Sequence, residues 1–226
     1  MNRRGYLLFF VSALMFGALL SCKKSTAPIF HFEYFGLTSG RYIIYDVMEV
    51  THDQLLLQHD TTYYQLKTYW GPVYIDNEGR EAREFHRYKR DSVTTPWGQT
   101  EIWTGIIDGI RAELIEENQR VVKLVFAPTY EKEWDANAYN IFEEMECYYT
   151  NIHEGYTAGT TSFDSTLIVE QQDSPNLIDT VRMYEVYAKN IGLIYKYYKD
   201  NHYQFGSPEV VLGKELYYTF YSAGFE

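Results

Sequence analysis

From Arg41 onward the chain is written in short runs of β-branched and aromatic residues separated by turn chemistry, a pattern of strands rather than helices. Arg41 to Val50, Thr61 to Trp70, Val73 to Ile75, Arg83 to Arg90, Glu101 to Ile107, Ile110 to Glu117, Val121 to Phe126, Phe142 to Tyr149 and Phe163 to Gln171 each read as a strand. Their close spacing favours antiparallel meanders. Leu177 to Lys199 reads as two further strands broken at Asn190-Ile191-Gly192, with a helix over Leu177 to Ala188 as the alternative.

Register can be read at two hairpins. With Asp108-Gly109 as a two-residue type I′ turn, Trp103 stands opposite Leu114, Gly105 opposite Ala112 and Ile107 opposite Ile110, forming one apolar face. At the next turn a three-residue loop, Asn118 to Arg120, sets Leu114 against Leu124 and Ala112 against Phe126, whereas a two-residue Asn118-Gln119 loop would set Leu114 against Lys123. The first keeps one face apolar and is preferred. Asp76-Asn77-Glu78-Gly79 marks another hairpin. Four Tyr-Tyr pairs, at 63–64, 148–149, 197–198 and 217–218, place one ring on each side of a strand, so either both faces are covered or the outer face displays tyrosine. The expected fold is mainly β: one antiparallel sheet domain over residues 31–226, half-barrel or sandwich-like.

Ahead of this domain, Arg3 and Arg4 precede an apolar run from Tyr6 to Leu20 that ends at Ser21-Cys22. At ~1.5 Å per residue the run is about 22 Å of helix, short of the ~30 Å hydrocarbon core. Leu19-Leu20-Ser21-Cys22 resembles the lipobox of bacterial lipoproteins, which implies a signal peptide over residues 1–21, a lipid-anchored Cys22, and a tether over residues 22–30 carrying Lys23-Lys24-Ser25-Thr26-Ala27-Pro28. In such lipoproteins an Asp after the Cys retains the product at the inner membrane; Lys23 stands there instead, which implies the outer membrane. Surface export is linked to acids soon after the Cys, and their absence from the tether implies a periplasm-facing domain.

Composition narrows the chemistry. Cleavage before Cys22 would remove Arg3 and Arg4 but no acid, taking the net charge from −11 to −13, which argues against a nucleic-acid partner. With Cys22 lipidated, Cys147 is the one thiol left, and its strand-like setting reads as a buried structural residue. No G-x-S-x-G elbow, H-E-x-x-H, paired C-x-x-C or phosphate-binding Gly loop occurs, so no catalytic residue, metal or cofactor is indicated. His52, Asp53, His59 and Asp60 form a loose cluster read as solvated loop residues. Asp135 to Asn140 with Glu146 is similar to a calcium loop but lacks the Gly at its sixth position and reads as a turn. Glu116-Glu117 and Glu143-Glu144 read as solvated faces. The aromatic content, 18% of the chain, is the remaining lead. Trp103 is expected in the core, while Trp97 and Trp134 lie in turn-like surroundings and are the expected contacts for a ligand or partner.

Through Asp76-Asn77-Glu78-Gly79-Arg80, Arg120 to Phe126 and Tyr184 to Lys196, together with the lipobox, the chain resembles small uncharacterised lipoproteins of Bacteroidota-type bacteria. The resemblance implies a β domain anchored at the outer membrane and supplies no active-site residues. The expected function is a lipid-anchored cell-envelope protein with a binding or structural role toward another envelope protein, a hydrophobic ligand or a glycan. The alternative is an extracytoplasmic hydrolase of glycan or peptide whose carboxylates converge only in the fold.

Overall fold

A computed structural model describes residues 28–56 and 58–226. These form a single antiparallel sheet of twelve strands: β1 (Arg41–Asp53), β2 (Gln58–Ile75), β3 (Glu81–Arg90), β4 (Gly98–Asp108), β5 (Arg111–Glu116), β6 (Gln119–Val125), β7 (Glu133–Asp135), β8 (Glu146–Ala158), β9 (Thr161–Pro175), β10 (Asp179–Ala188), β11 (Gly192–Tyr203) and β12 (Val210–Phe225). The spatial order is β6-β5-β4-β3-β2-β1-β12-β11-β10-β9-β8-β7. Two six-strand meanders are thus joined where the first strand pairs with the last, Arg41 opposite Phe225 through Asp53 opposite Leu212. The sheet curls until its edges β6 and β7 nearly meet, giving an almost closed, barrel-like sheet, in line with the expected single antiparallel sheet domain.

The seam between those edges is closed mostly outside a regular ladder. Val122 N donates to Ala136 O (2.9 Å), and Arg120 and Tyr139 form an isolated bridge. The Trp134 indole donates to Val122 O (3.1 Å), Asn140 Nδ2 donates to Arg120 O (3.0 Å), and the Tyr149 hydroxyl both receives Val125 N and donates to Val125 O, each at 3.0 Å. Each contact pairs a backbone group that a neighbouring strand would otherwise satisfy. At one end of the barrel the segment from Phe30 to Leu37, with a short 3-10 turn at Phe32–Tyr34, packs against the core; Tyr34 is fully buried and its hydroxyl meets His153 Nδ1 (2.6 Å) and Ser165 Oγ (2.7 Å).

Leu177 to Lys199 adopts the strand reading: β10 and β11 flank the break at 189–191. Elsewhere the expectations need correction. Thr61–Trp70 and Val73–Ile75 are one strand whose pairing slips between Trp70 and Val73, where Gly71-Pro72 cannot keep a regular ladder. The strand expected to begin at Phe142 begins at Glu146, because Phe142 lies in a turn held by Asn140 Oδ1. The first hairpin turns at Gly109-Ile110, with Gly109 at φ 60°, so Gly105 opposes Leu114 and Ile107 opposes Ala112; Asp108 stays in the ladder opposite Arg111, and its carboxylate accepts from Arg80 and Arg111. The slip is two residues, so the apolar face survives.

The second hairpin turns at Glu117-Asn118, both at positive φ (48° and 65°), which is the backbone a type I′ turn requires. Leu114 then opposes Val121, while Ala112 opposes Leu124. Both apolar pairings coexist because Lys123 is an extra residue in β6, a bulge that neither single-register reading allowed.

Both sides of the sheet are covered over β10 to β12, where two of the Tyr pairs lie, whereas Tyr63 of the 63–64 pair is exposed. The β8–β9 turn reaches past β10 and β11 to β12, where Gly159 lies against Thr219 and Phe220. Beneath it Ala158, Val186, Ala188 and Ile194 are buried with Tyr156, Phe163 and Tyr195 around them. Next to this cluster Tyr184, Tyr197 and Tyr217 form a cross-strand row with ring centroids 5.2 and 5.0 Å apart.

Candidate functional site

The barrel interior holds a cavity of about 80 Å³. Against the ~10–15 Å³ that one water occupies, this is room for a small molecule, and it is well below the ~300 Å³ of pockets that take drug-sized ligands. Phe35, Ile43, Leu66, Trp70, Phe85, Trp103 and Leu193 give it an apolar wall; Arg41, Arg87, Lys123 and Lys196 line it together with only two carboxylates, Glu116 and Glu185.

The charges enter through alternation and bulges. Glu185 and Tyr187 bracket Val186 in β10, and pairing with β11 slips between Val186 and Tyr187, which brings both polar groups to the cavity. Lys123 arrives through the β6 bulge. Glu185 is completely buried, and its Oε1 lies 2.7 Å from Lys123 Nζ and 3.7 Å from Lys196 Nζ, while its Oε2 accepts from the Tyr187 hydroxyl at 2.5 Å. Burial alone would raise the Glu185 pKa, but the two ammonium groups and these hydrogen bonds overcome it and hold the carboxyl down at about 2. Burial opposes the charge on Lys123, which its short pairing with Glu185 outweighs, so its pKa is raised. On Lys196 burial prevails and the pKa is lowered. Tyr187 is pushed well up by burial and by the neighbouring Glu185 charge.

Arg87 is satisfied differently: its guanidinium pairs with Glu101, donates to the Tyr218 hydroxyl (3.0 Å) and lies 4.1 Å from the Trp103 ring centroid. Two further donors on the lining, Trp103 Nε1 and Arg41 Nε, are buried with no hydrogen-bond partner among the described residues. The site therefore joins aromatic surface to a surplus of donors and positive charge, inside a chain whose overall charge is −11.

Of the residues singled out from sequence, Trp103 and Glu116 line this cavity, Glu116 against the expectation of a solvated face, and the others fall elsewhere. Trp97 is half-buried on the β3–β4 side with the Arg90 guanidinium 4.2 Å from its ring. Trp134 is half-buried at the seam, its ring tilted against Tyr149 with centroids 4.8 Å apart. Cys22 lies outside the described residues. Trp103 is on the apolar inner face, stacked on Phe85 at 6.1 Å. Cys147 is a buried free thiol whose pKa burial pushes up to about 12. Asp135 caps its turn by accepting from Asn137 N and Met145 N, and His52 and His59 face each other across β1 and β2 with their Nδ1 atoms 3.1 Å apart. Among the described residues no three His, Cys, Asp or Glu side chains converge as metal ligands. Lys123, Glu185 and Lys196 escaped the reading; the available signal was a charge embedded in a strand of apolar and aromatic residues, as in Val121-Val122-Lys123-Leu124-Val125.

No protein-family model matches the chain, and no curated protein is similar to it. Among solved structures, a putative lipoprotein from Parabacteroides distasonis ATCC 8503 aligns with 81% of this chain and 95% of its own length, at a TM-score of 0.38 and 10% identity. A likeness that loose fixes neither fold nor function.

Proposed function

We propose that this chain is a lipid-anchored cell-envelope binding protein whose barrel interior receives a small ligand. The observation that carries the reading is the interior cavity, where aromatic walls meet the Lys196 ammonium, which makes no hydrogen bond among the described residues; buried polar groups without hydrogen-bond partners are uncommon and costly unless something pairs with them. The anchor is read from Leu19-Leu20-Ser21-Cys22, with Lys23 and the acid-free tether pointing to the periplasmic side of the outer membrane. More than one acyl chain on Cys22 would make the attachment stable. The interior carboxylate Glu185 is held ionised by two lysines, the opposite of the raised pKa a general acid in a glycosidase needs, so the hydrolase alternative finds no support in the cavity.

Two measurements test the reading. Fractionation of cells carrying Cys22→Ala should move the protein from membranes to the soluble fraction; retention in the membrane would overturn the anchor. Titration of the purified full-length protein with benzoate, benzamide and benzyl alcohol, followed by intrinsic tryptophan fluorescence, should show saturable binding of at least one probe through Trp70 and Trp103. That binding should be lost in Leu193→Trp, which fills the cavity. Absence of saturable change with every probe, or binding unaffected by Leu193→Trp, would overturn the interior site.

A further inference from the structure

We propose that the interior cavity is selective for a small monocarboxylate bearing an apolar group, with the carboxylate docked on the Lys196 ammonium and the apolar body against Trp70 and Phe85. This rests on the reading of the cavity as a binding site and names its ligand class. Lys123 takes Glu185 at 2.7 Å, and Arg87 takes Glu101 and the Tyr218 hydroxyl. Lys196 is left over: among the described residues its Nζ makes no hydrogen bond, and the nearest carboxylate oxygen, 3.7 Å away, is the one Lys123 already holds. Glu116 lines the same cavity without coming within ion-pair distance of it. Although Lys196 sits deep inside the barrel, 28% of its side chain remains accessible, and the space it faces is the cavity.

An ammonium in that position makes no hydrogen bond and shares its one neighbouring carboxylate with Lys123, which is costly, and an incoming anion would relieve the cost. Lys196, together with Arg41, which lines the same cavity and among the described residues has no carboxylate within ion-pair distance, offers positive charge to the acceptor oxygens of a carboxylate. The aromatic wall supplies surface for the rest of the molecule. Since the protein as a whole is acidic, long-range attraction does not explain anion binding, and the preference has to be local.

The same titration, comparing benzoate with its neutral isostere benzamide in the full-length protein, tests the selectivity. Benzoate should bind about tenfold or more tightly than benzamide, the scale of a hydrogen bond to a charged group in a buried site. Lys196→Met, which keeps the aliphatic stem, should abolish the preference for benzoate over benzamide, and Lys196→Arg should restore it. A second readout covers the case where Lys196→Met folds poorly. The ammonium of Lys196 faces Glu185 on β10, Lys123 on β6, Glu116 on β5, Arg87 on β3 and the Tyr218 ring on β12, and burial lowers its pKa. In the unaltered protein, benzoate affinity should therefore fall as pH rises from about 7 to 10, within the range below the ordinary lysine pKa, while benzamide affinity stays flat. Benzamide binding as tightly as benzoate, competition by inorganic phosphate, or a benzoate affinity indifferent to both Lys196→Met and pH would overturn the selectivity while leaving the cavity site standing. Failure of every probe to bind would instead be the failure of the site itself.

Discussion

Glu185 is the residue on which most of the interior depends. A carboxylate with no solvent exposure is tolerable only because Lys123, Lys196 and Tyr187 converge on it. Replacing it by Gln strands two buried ammonium groups, and Glu185→Gln should cost about 3 to 5 kcal/mol of unfolding free energy, the usual penalty for breaking a buried pair from one side; a urea midpoint close to that of the unaltered protein would refute this. The pH dependence has a definite sign. The folded pKa of Glu185 lies below the value of an unfolded glutamate, so its contribution is fully present above about pH 4.3 and is lost as pH falls toward 2. Stability measured by denaturation between these limits should drop more steeply for the unaltered protein than for Glu185→Gln. Glu185 stands among aromatic and apolar neighbours in Tyr184-Glu185-Val186-Tyr187, but nothing in that stretch names its partners, which come from residues 123 and 196.

At the scale of elements, alternation and turn chemistry located most strands but not their registers. The Asp108-Gly109 expectation missed by two residues since Asp108 gains more by pairing across the ladder with Arg111 and Arg80 than by occupying the turn. The β5–β6 hairpin eluded it because the reading imposed one register on a strand that contains a bulge. Its turn residues, Glu117 and Asn118, are both left-handed, and Glu there is a poor choice sterically. Replacing the pair by Asn-Gly should raise stability by up to about 1 kcal/mol, read as a higher denaturant midpoint with unchanged slope. The seam offers the opposite test. Tyr149→Phe removes the hydroxyl that satisfies both the N–H and the C=O of Val125, which should cost about 1 to 3 kcal/mol and speed amide hydrogen exchange at Val125. Unchanged protection there would show that the seam is held by other contacts.

For the whole molecule, the decisive pairing is β1 with β12, which closes the two meanders into one barrel across nearly the full length of the folded chain. Contacts so distant in sequence pay their loop-closure entropy before they return any energy, so refolding should be slow, on the order of milliseconds to seconds, and the two meanders should not unfold separately. Far-UV circular dichroism and tryptophan fluorescence should give coincident unfolding curves; two separated transitions would contradict that. Sequence alone determined the β class, the antiparallel order of neighbours and the apolar face bearing Trp103, because alternation and turn propensity are properties of adjacent residues, whereas it left Leu177 to Ala188 open between strand and helix. It did not mark Val210–Phe225 as a strand, although that strand sits at the centre of the sheet, nor did it gather Arg87, Lys123, Glu185 and Lys196 around one cavity. Curvature, bulges and ring closure decide which inward-facing positions meet, and only the tertiary structure contains them.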